Sequence, residues 1–146
     1  LNLTLEPISL TTFTDKLDVL FSHCRFEYDF DHTQIFADKI FFEQVLINLC
    51  KNAIEAGASQ VRLTSRRVKH GVQIDIIDDG HGFANPDNLF VPLFTTKPEG
   101  QGIGLTFCRN IIEQHQGSLQ LTNNAEFNKG EAGVTASILL PEKPTL

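Results

Sequence analysis

Two glycine-rich segments of this chain carry the residues best suited to bind a phosphorylated ligand. The first is Ile77-Asp78-Asp79-Gly80-His81-Gly82-Phe83, and the second is Gly100-Gln101-Gly102-Ile103-Gly104-Leu105. Glycine at alternate positions removes the Cβ atom, so the backbone can approach a ligand closely. Where such a segment leads into a helix, free N–H groups and the helix dipole favour a phosphate. Together the two segments indicate a bound nucleotide.

Asn48 and Asn52 supply the amide groups for a second part of such a site. They lie four residues apart in an apolar segment, so a helix would place them on one face. A buried amide without a partner costs about 1–3 kcal/mol. Its carbonyl oxygen is a hard ligand that suits Mg²⁺, which takes its remaining oxygens from water and phosphates. Hydrogen bonds to neighbouring backbone explain these two residues equally well when they are considered alone.

Asp78 ends a predicted strand of apolar residues, which is a poor place for a carboxylate without a partner. It could accept a hydrogen bond from an exocyclic amino group such as that of adenine. An ordinary acidic turn is the alternative, and for Asp78-Asp79-Gly80 alone it is the better one.

The second glycine segment differs from two familiar phosphate-binding motifs. It lacks the Lys-Ser/Thr ending of a P-loop. Leu105 occupies the place of the third glycine of a dinucleotide fingerprint, and no predicted strand precedes the segment. Both motifs are therefore excluded.

The elements that position these residues follow from periodicity and from turn residues. Asp38 should begin the asparagine-bearing helix and Gly57 should end it. Its predicted buried residues are Ile40, Phe41, Val45, Leu49, Cys50 and Ala53. The remaining predictions are a helix over 9–23, strands over 25–30, 60–68, 72–78, 118–123 and 134–140, and a helix from Ile103 to His115 that ends at Gly117. This order predicts an α+β, two-layer α/β sandwich with helices on one face of a mixed sheet.

Composition narrows the class of protein. The chain has 146 residues, which is expected to be a single domain, and its net charge of −6 argues against nucleic-acid binding. No apolar run reaches the roughly 20 residues of a membrane helix, so direct membrane contact is not expected. Three widely spaced cysteines indicate reduced thiols and a cytoplasmic location. Because the chain begins at Leu1 within a structured pattern, we expect a fragment of a larger protein.

Four segments in this order resemble the ATP-binding catalytic domain of sensor histidine kinases. They are an asparagine box at Phe42–Ala56, a first glycine box at Asp78–Phe83, a phenylalanine box at Leu89–Lys97 and a second glycine box at Gly100–Leu105. This domain belongs to the Bergerat-fold (GHKL) superfamily, which also includes gyrase, Hsp90 and MutL-type ATPases. The resemblance covers nearly the whole chain and implies the Bergerat fold, with ATP and Mg²⁺ as cofactors.

The resemblance also implies roles for individual residues. Asn52 would coordinate Mg²⁺ with support from Asn48, Asp78 would bind the adenine amino group, and Asn52 and Lys97 would be the catalytic residues. Lys51 is a weaker candidate for phosphate, because a solvated lysine is the better explanation. The other implied nucleotide-binding residues, from the glycine boxes and the lid that follows the first of them, are Gly80, Gly82, Phe90, Phe94, Thr96, Gly100, Gly102, Ile103, Gly104 and Leu105.

Asn48 helps to choose within the superfamily. The ATPases of this fold carry a glutamate one helical turn before the metal-binding asparagine, where it acts as general base for water. An amide cannot accept that proton, so the site should hold ATP without hydrolysing it, as a kinase requires. Departures from the family pattern are Val91 and Leu93 in the phenylalanine box, the short Pro98-Glu99 link, and Gln116 in place of a frequent glycine.

The phospho-acceptor is expected to lie elsewhere, because none of the five histidines is followed by an acidic residue. The implied partners are an acceptor-histidine dimerisation domain of the same parent protein and a response regulator. The resemblance is compatible with a parent protein that is anchored in the inner membrane. The isolated chain should be monomeric and bind ATP without autophosphorylation. Two alternatives remain: an anti-sigma-type serine kinase, and a degenerate nucleotide-binding module that acts by protein contact.

Overall fold

The computed structural model describes residues 2–82 and 102–143; for Gly102 and Ile103 it describes only their place in a helix. The predictions for Phe90, Phe94, Thr96, Lys97 and Gly100 therefore lie outside the described residues. The elements in chain order are β1 Glu6–Ser9, a 3₁₀ turn Leu10–Phe13, α1 Thr14–Leu20, β2 Arg25–Phe30, β3 Gln34–Ala37, α2 Lys39–Glu55, β4 Gln60–Val68, β5 Gly71–Asp78, α3 Gly102–Gln114, β6 Ser118–Asn123, a 3₁₀ turn Asn124–Glu126 and β7 Val134–Pro141.

Five strands form the main sheet in the order β2-β4-β5-β7-β6. The β2–β4 pair is parallel and the other three pairs are antiparallel, so the predicted mixed sheet is confirmed. One row across it aligns Tyr28, Leu63, Ile76, Ala136 and Leu121. These side chains share one core with residues of α2 and α3, which places both helices on this face of the sheet. The predicted α+β two-layer sandwich is thereby confirmed.

Helix α2 begins and ends where its sequence predicts. The Asp38 carboxylate caps it by accepting hydrogen bonds from the N–H groups of Ile40 and Phe41, both at 3.0 Å. At the other end Gly57 has φ +87°, the left-handed conformation that terminates helices.

The buried face of α2 was predicted only in part. Ile40 is 68% exposed and Phe41 is partly exposed, whereas Phe42 and Leu46, which the prediction omitted, are buried. Ile40 lies two positions from Phe42, and a helix turns such neighbours to nearly opposite sides. The buried residues, at i, i+3, i+4 and i+7 spacing, are Phe42, Val45, Leu46, Leu49, Cys50 and Ala53.

The predicted helix over 9–23 was wrong at both ends. Residues 6–9 form β1, which pairs antiparallel with β3, and neither strand was predicted. A 3₁₀ turn then leads into the short α1. Leu10, Phe13 and Leu17 are all buried, so the apolar spacing suits this arrangement as well as one long helix. Strands of four residues are too short for alternation to identify them.

Helix α3 ends at Gln114, as expected, but for a different reason. Gln116, not Gly117, adopts the left-handed conformation, with φ +65°. A Cβ atom on Gly117 would lie 2.2 Å from the main-chain oxygen of Leu139. The glycine is therefore required by the close approach of β7, and the turn itself falls on a glutamine.

Two contacts show that α2 and α3 run antiparallel. The Cys108 thiol of α3 lies 3.9 Å from the Val45 carbonyl oxygen of α2. His115, just after α3, accepts a hydrogen bond at Nε2 from the Asp38 N–H at 3.0 Å. His115 is therefore a core histidine that joins the end of α3 to the start of α2.

Candidate functional site

Asp78 ends β5 on the helix-covered face of the sheet, since it aligns with buried Val61 of β4. Its Oδ1 accepts hydrogen bonds from the N–H groups of Gly80, at 2.9 Å, and Val134, at 3.3 Å. No described residue donates to Oδ2. Burial raises the pKa of Asp78, which the two hydrogen bonds only partly oppose. One carboxylate oxygen is thus held by the protein while the other remains available to a donor on a ligand.

Asp79 has a different role from its neighbour. Its carboxylate accepts hydrogen bonds from the Ser59 N–H at 2.8 Å, the Ser59 hydroxyl at 2.7 Å and the Gln60 N–H at 3.0 Å. Desolvation acts to raise the pKa of Asp79, but these hydrogen bonds outweigh it and the pKa is lowered. Asp79 therefore ties the end of β5 to the start of β4, whereas the bond from the Gly80 N–H to Oδ1 of Asp78 is the turn contact that the acidic-turn alternative predicted.

Gly80 and Gly82 allow close packing of the loop that follows β5. A Cβ atom on Gly80 would lie 2.8 Å from the main-chain oxygen of Ala56, and one on Gly82 would lie 2.7 Å from Oδ1 of Asn123. The His81 N–H also donates to the Ala56 oxygen at 3.0 Å. Both glycines thus dock the loop against the protein itself, a reason for glycine that the sequence did not reveal.

The same loop lies beside the asparagine-bearing end of α2. The main-chain oxygen of Asn52 accepts a hydrogen bond from the Ala56 N–H at 3.0 Å, and the Ala56 oxygen accepts the bond from His81. Asn48 and Asn52 are both partly exposed, and the amide nitrogen of Asn52 is buried. The last turns of α2 therefore connect the predicted metal-binding residue to the loop that carries Asp78.

The antiparallel offset of α2 and α3 places the start of α3 toward the asparagine-bearing end of α2. Val45 faces Cys108, so one turn further along α2 Asn48 lies level with Leu105, and Asn52 lies toward the first turn of α3. Leu105 is buried, so its side chain belongs to the core and only its main chain could meet a ligand. Around a Cβ position at Gly104, no described atom lies within 4 Å. The main-chain N–H groups at a helix N-terminus suit a phosphate.

Asn124 contributes to the site although the sequence did not identify it. Its side chain is 5% exposed, and its Nδ2 donates to the main-chain oxygen of Asp78 at 2.8 Å. An asparagine pair after a strand reads as an ordinary turn, so no local signal distinguishes this residue.

The arrangement as a whole has the chemistry of a nucleotide site. Asp78 carries a carboxylate, α2 carries the amide groups of Asn48 and Asn52, and α3 begins with main-chain N–H groups; these are the kinds of group that bind a base, a hard cation and a phosphate. The three thiols take no part: Cys24, Cys50 and Cys108 are free, and burial raises the pKa of Cys50 and Cys108 to about 12. They are packing residues, as predicted.

Comparison with known proteins agrees with this fold. A family model described as histidine kinase-, DNA gyrase B-, and HSP90-like ATPase matches residues 37–144. The chain is 35% identical over 124 residues to the sensor protein FixL of Bradyrhizobium diazoefficiens, which covers 80% of this chain and 24% of FixL. It is 45% identical over 91 residues to the C4-dicarboxylate transport sensor protein DctS of Rhodobacter capsulatus, which covers 57% of this chain and 14% of DctS. The chain thus spans about a quarter or less of the length of these curated relatives.

Among solved structures, the catalytic domain of histidine kinase ThkA is similar with a TM-score of 0.80 at 29% identity, covering 96% of this chain and 97% of that one. ThkA in complex with response regulator protein TrrA is similar with a TM-score of 0.76 at 28% identity, covering 96% of this chain and 42% of that one. Since the family model spans most of the chain and the fold agrees with it, this chain belongs to the histidine kinase-, DNA gyrase B- and HSP90-like ATPases, as an ATP-binding domain of the sensor histidine kinase type.

Proposed function

We propose that this domain binds Mg-ATP and donates the γ-phosphoryl group to a histidine on a separate dimerisation domain of its parent sensor kinase. The observation that carries the nucleotide assignment is the Asp78 carboxylate, with Oδ1 bound by two main-chain N–H groups and Oδ2 left for a ligand. A carboxylate oxygen accepts from the 6-amino group of adenine but repels the 6-oxo group of guanine. We therefore assign Asp78 to the 6-amino group of adenine.

Mg²⁺ fits the donor set that α2 presents. Amide oxygens are hard ligands, and Mg²⁺ binds few protein groups while it keeps waters and phosphate oxygens. We assign Asn52 to the metal and Asn48 to support of the metal or the phosphates. When bound, the ion would neutralise charge on the β- and γ-phosphates, which phosphoryl transfer requires. Lys97 as a catalytic residue, and the lid residues Phe90, Phe94 and Thr96, stay predictions, as do the phosphate contacts of the second glycine box.

The protein residues position the nucleotide and do not promote its hydrolysis. The loop after β5 holds Asp78 for the base, and the helix start at α3 offers N–H groups to phosphate. Asn48 stands where a related ATPase would place its general base, and an amide cannot take a proton from water. The bound triphosphate is thereby kept for the acceptor histidine.

The partners and location are also proposals. ThkA, which is similar in fold, forms a complex with a response regulator, and this supports a response regulator as the downstream partner. The acceptor-histidine domain is proposed to belong to the same parent protein. Among the described helices, none is long and apolar enough to cross a membrane. Three free thiols suit the cytoplasm, where we place this domain, as a monomer when isolated.

Titration of the purified chain with a non-hydrolysable ATP analogue, with and without Mg²⁺, tests the site. Asp78→Asn should lower the affinity at least about tenfold, because it presents an N–H group to the adenine amino group while its Oδ1 keeps both main-chain bonds. Asp75→Asn is the matched control, since it removes the same charge from the opposite face of β5 and should leave the affinity unchanged. Absence of binding by folded wild-type protein would favour the degenerate contact module.

Phosphoryl transfer is tested by adding the parent's acceptor-histidine domain in trans with γ-labelled ATP. The expected product is an acid-labile phosphohistidine on that domain, with no label on this chain alone. An acid-stable phosphoserine would instead support the anti-sigma-type serine kinase.

A further inference from the structure

Asn124 uses every hydrogen-bonding group that it has. Its main-chain N–H donates to the Gly133 oxygen at 2.9 Å. Its Nδ2 donates to the main-chain oxygens of Asp78, at 2.8 Å, and Ala132, at 2.9 Å, and its Oδ1 accepts from the Thr135 hydroxyl at 2.6 Å. Two carbonyl acceptors and one hydroxyl donor leave a single way to orient the amide. This buried side chain is therefore held on all sides.

These bonds fix Asp78 just beyond the last residue pair of β5 and β7. The β5–β7 pairing ends at Ile77 and Thr135, so the Asp78 carbonyl lies beyond the last aligned pair. The Asn124 side chain donates a hydrogen bond to that carbonyl. It also bonds to Ala132 and Thr135, which lie on the two sides of Val134. The Val134 N–H in turn donates to Oδ1 of Asp78. One side chain thus sets both the main chain of Asp78 and the donor that orients its carboxylate.

Gly133 explains how closely these segments approach. It has φ +99°, and a Cβ atom there would lie 2.0 Å from the Asp78 main-chain oxygen and 3.0 Å from Nδ2 of Asn124. Only glycine allows the strand to pass between these groups. The contact is therefore a built junction of β5, β6 and β7 and not a loose surface loop.

We propose that Asn124 is a positioning residue for base recognition, which aims the free oxygen of Asp78 at the 6-amino group of the bound purine. The inference rests on the proposed nucleotide function and extends it to a residue outside the four boxes. Removing the amide leaves Asp78 in place in the sequence but frees its main chain and the Val134 donor to shift. Discrimination between 6-amino and 6-oxo purines falls, while contacts to the phosphates remain.

The test compares the affinities of ADP and IDP, whose bases differ at two adjacent positions: ADP has a 6-amino group and an N1 acceptor, whereas IDP has a 6-oxo group and an N1–H. We expect wild-type protein to bind ADP more tightly than IDP in an Asp78-dependent manner. Asn124→Ala should reduce the ADP-to-IDP affinity ratio by about tenfold, since a misdirected hydrogen bond to a charged acceptor loses most of its value. The affinity for IDP should change less than about threefold, because the 6-oxo group of IDP has no hydrogen bond to the Asp78 carboxylate to lose.

Asn128→Ala is the matched control, because it removes an exposed asparagine side chain from the same connection between β6 and β7. It should preserve the ratio. Asn124→Ser and Asn124→Asp accompany Asn124→Ala, and circular dichroism checks the fold of each. An unchanged ratio, an equal loss of ADP and IDP affinity, or failure of all three variants to fold would each overturn the positioning role. A wild-type protein without discrimination would instead refute base recognition by Asp78 itself, and the inference with it.

Discussion

Replacement of His115 by alanine should destabilise the domain strongly, although this residue lies far from the proposed nucleotide. The imidazole is 1% exposed and packs against the Phe42 ring with 6.3 Å between centroids. Its Nδ1 bonds to the Ile111 oxygen at 2.8 Å, while Nε2 accepts from the Asp38 N–H at 3.0 Å. The nitrogen nearest the Ile111 carbonyl must carry the proton, because the other faces a donor.

The cost has two parts. Loss of the ring leaves the N–H of Asp38, a buried residue, without its acceptor, which costs about 1–3 kcal/mol. The empty space beside Phe42 adds the cavity penalty of a large-to-small core substitution, about 2–4 kcal/mol. We expect a total of about 4 kcal/mol, a large share of the roughly 5–15 kcal/mol that stabilises a domain.

Urea unfolding followed by circular dichroism measures this free energy. His115→Gln should recover part of the loss, because its side-chain oxygen can accept from Asp38. His23→Ala, an exposed position, is the control and should stay within about 0.5 kcal/mol of wild type. A loss below about 1 kcal/mol for His115→Ala would show that the α2–α3 junction does not depend on this contact.

Three further substitutions test other features. Asp78→Asn should stabilise the nucleotide-free domain at pH 7. Burial raises the pKa of Asp78 in the folded state, so the ionised carboxylate destabilises the folded state once the pH rises above the unfolded pKa of 3.8. The increase in urea midpoint should therefore shrink as the pH falls toward 3.8. Asp79→Ala should cost about 1 kcal/mol, because its hydrogen bonds are exposed to competing water. The folded pKa of Asp79 is lowered, so that cost should be full above pH 3.8 and fade below it; a cost that persists in acid would contradict the assignment. Gln116→Gly should stabilise by about 0.5–1 kcal/mol by relieving a left-handed glutamine, as checked by thermal unfolding, whereas a loss would mean that the glutamine side chain makes the larger contribution.

The nucleotide site was partly predictable because its parts are local in sequence. Helical spacing placed Asn48 and Asn52 on one face, and strand polarity marked Asp78 as an unusual carboxylate. The separate roles of Asp78 and Asp79 were not predictable, because the Ser59 and Gln60 groups that bind Asp79 lie about twenty residues away. Alternation along β5 places Asp78 on the face of Ile74 and Ile76, but it does not show which groups bind Asp79.

Periodicity and cap residues alone determined most of the elements of this protein: the start of α2 at Asp38, its end at Gly57, the β4–β5 hairpin and the order of the boxes. Those features depend on backbone preferences and on neighbours within a few positions. Tertiary structure decided the β1–β3 pair, the exposure of Ile40 and the close approach that requires glycine at Gly117. It also decided the role of Asn124, which meets Asp78 across 46 positions. Such contacts depend on how distant segments pack, and the propensity of a single segment does not contain that information.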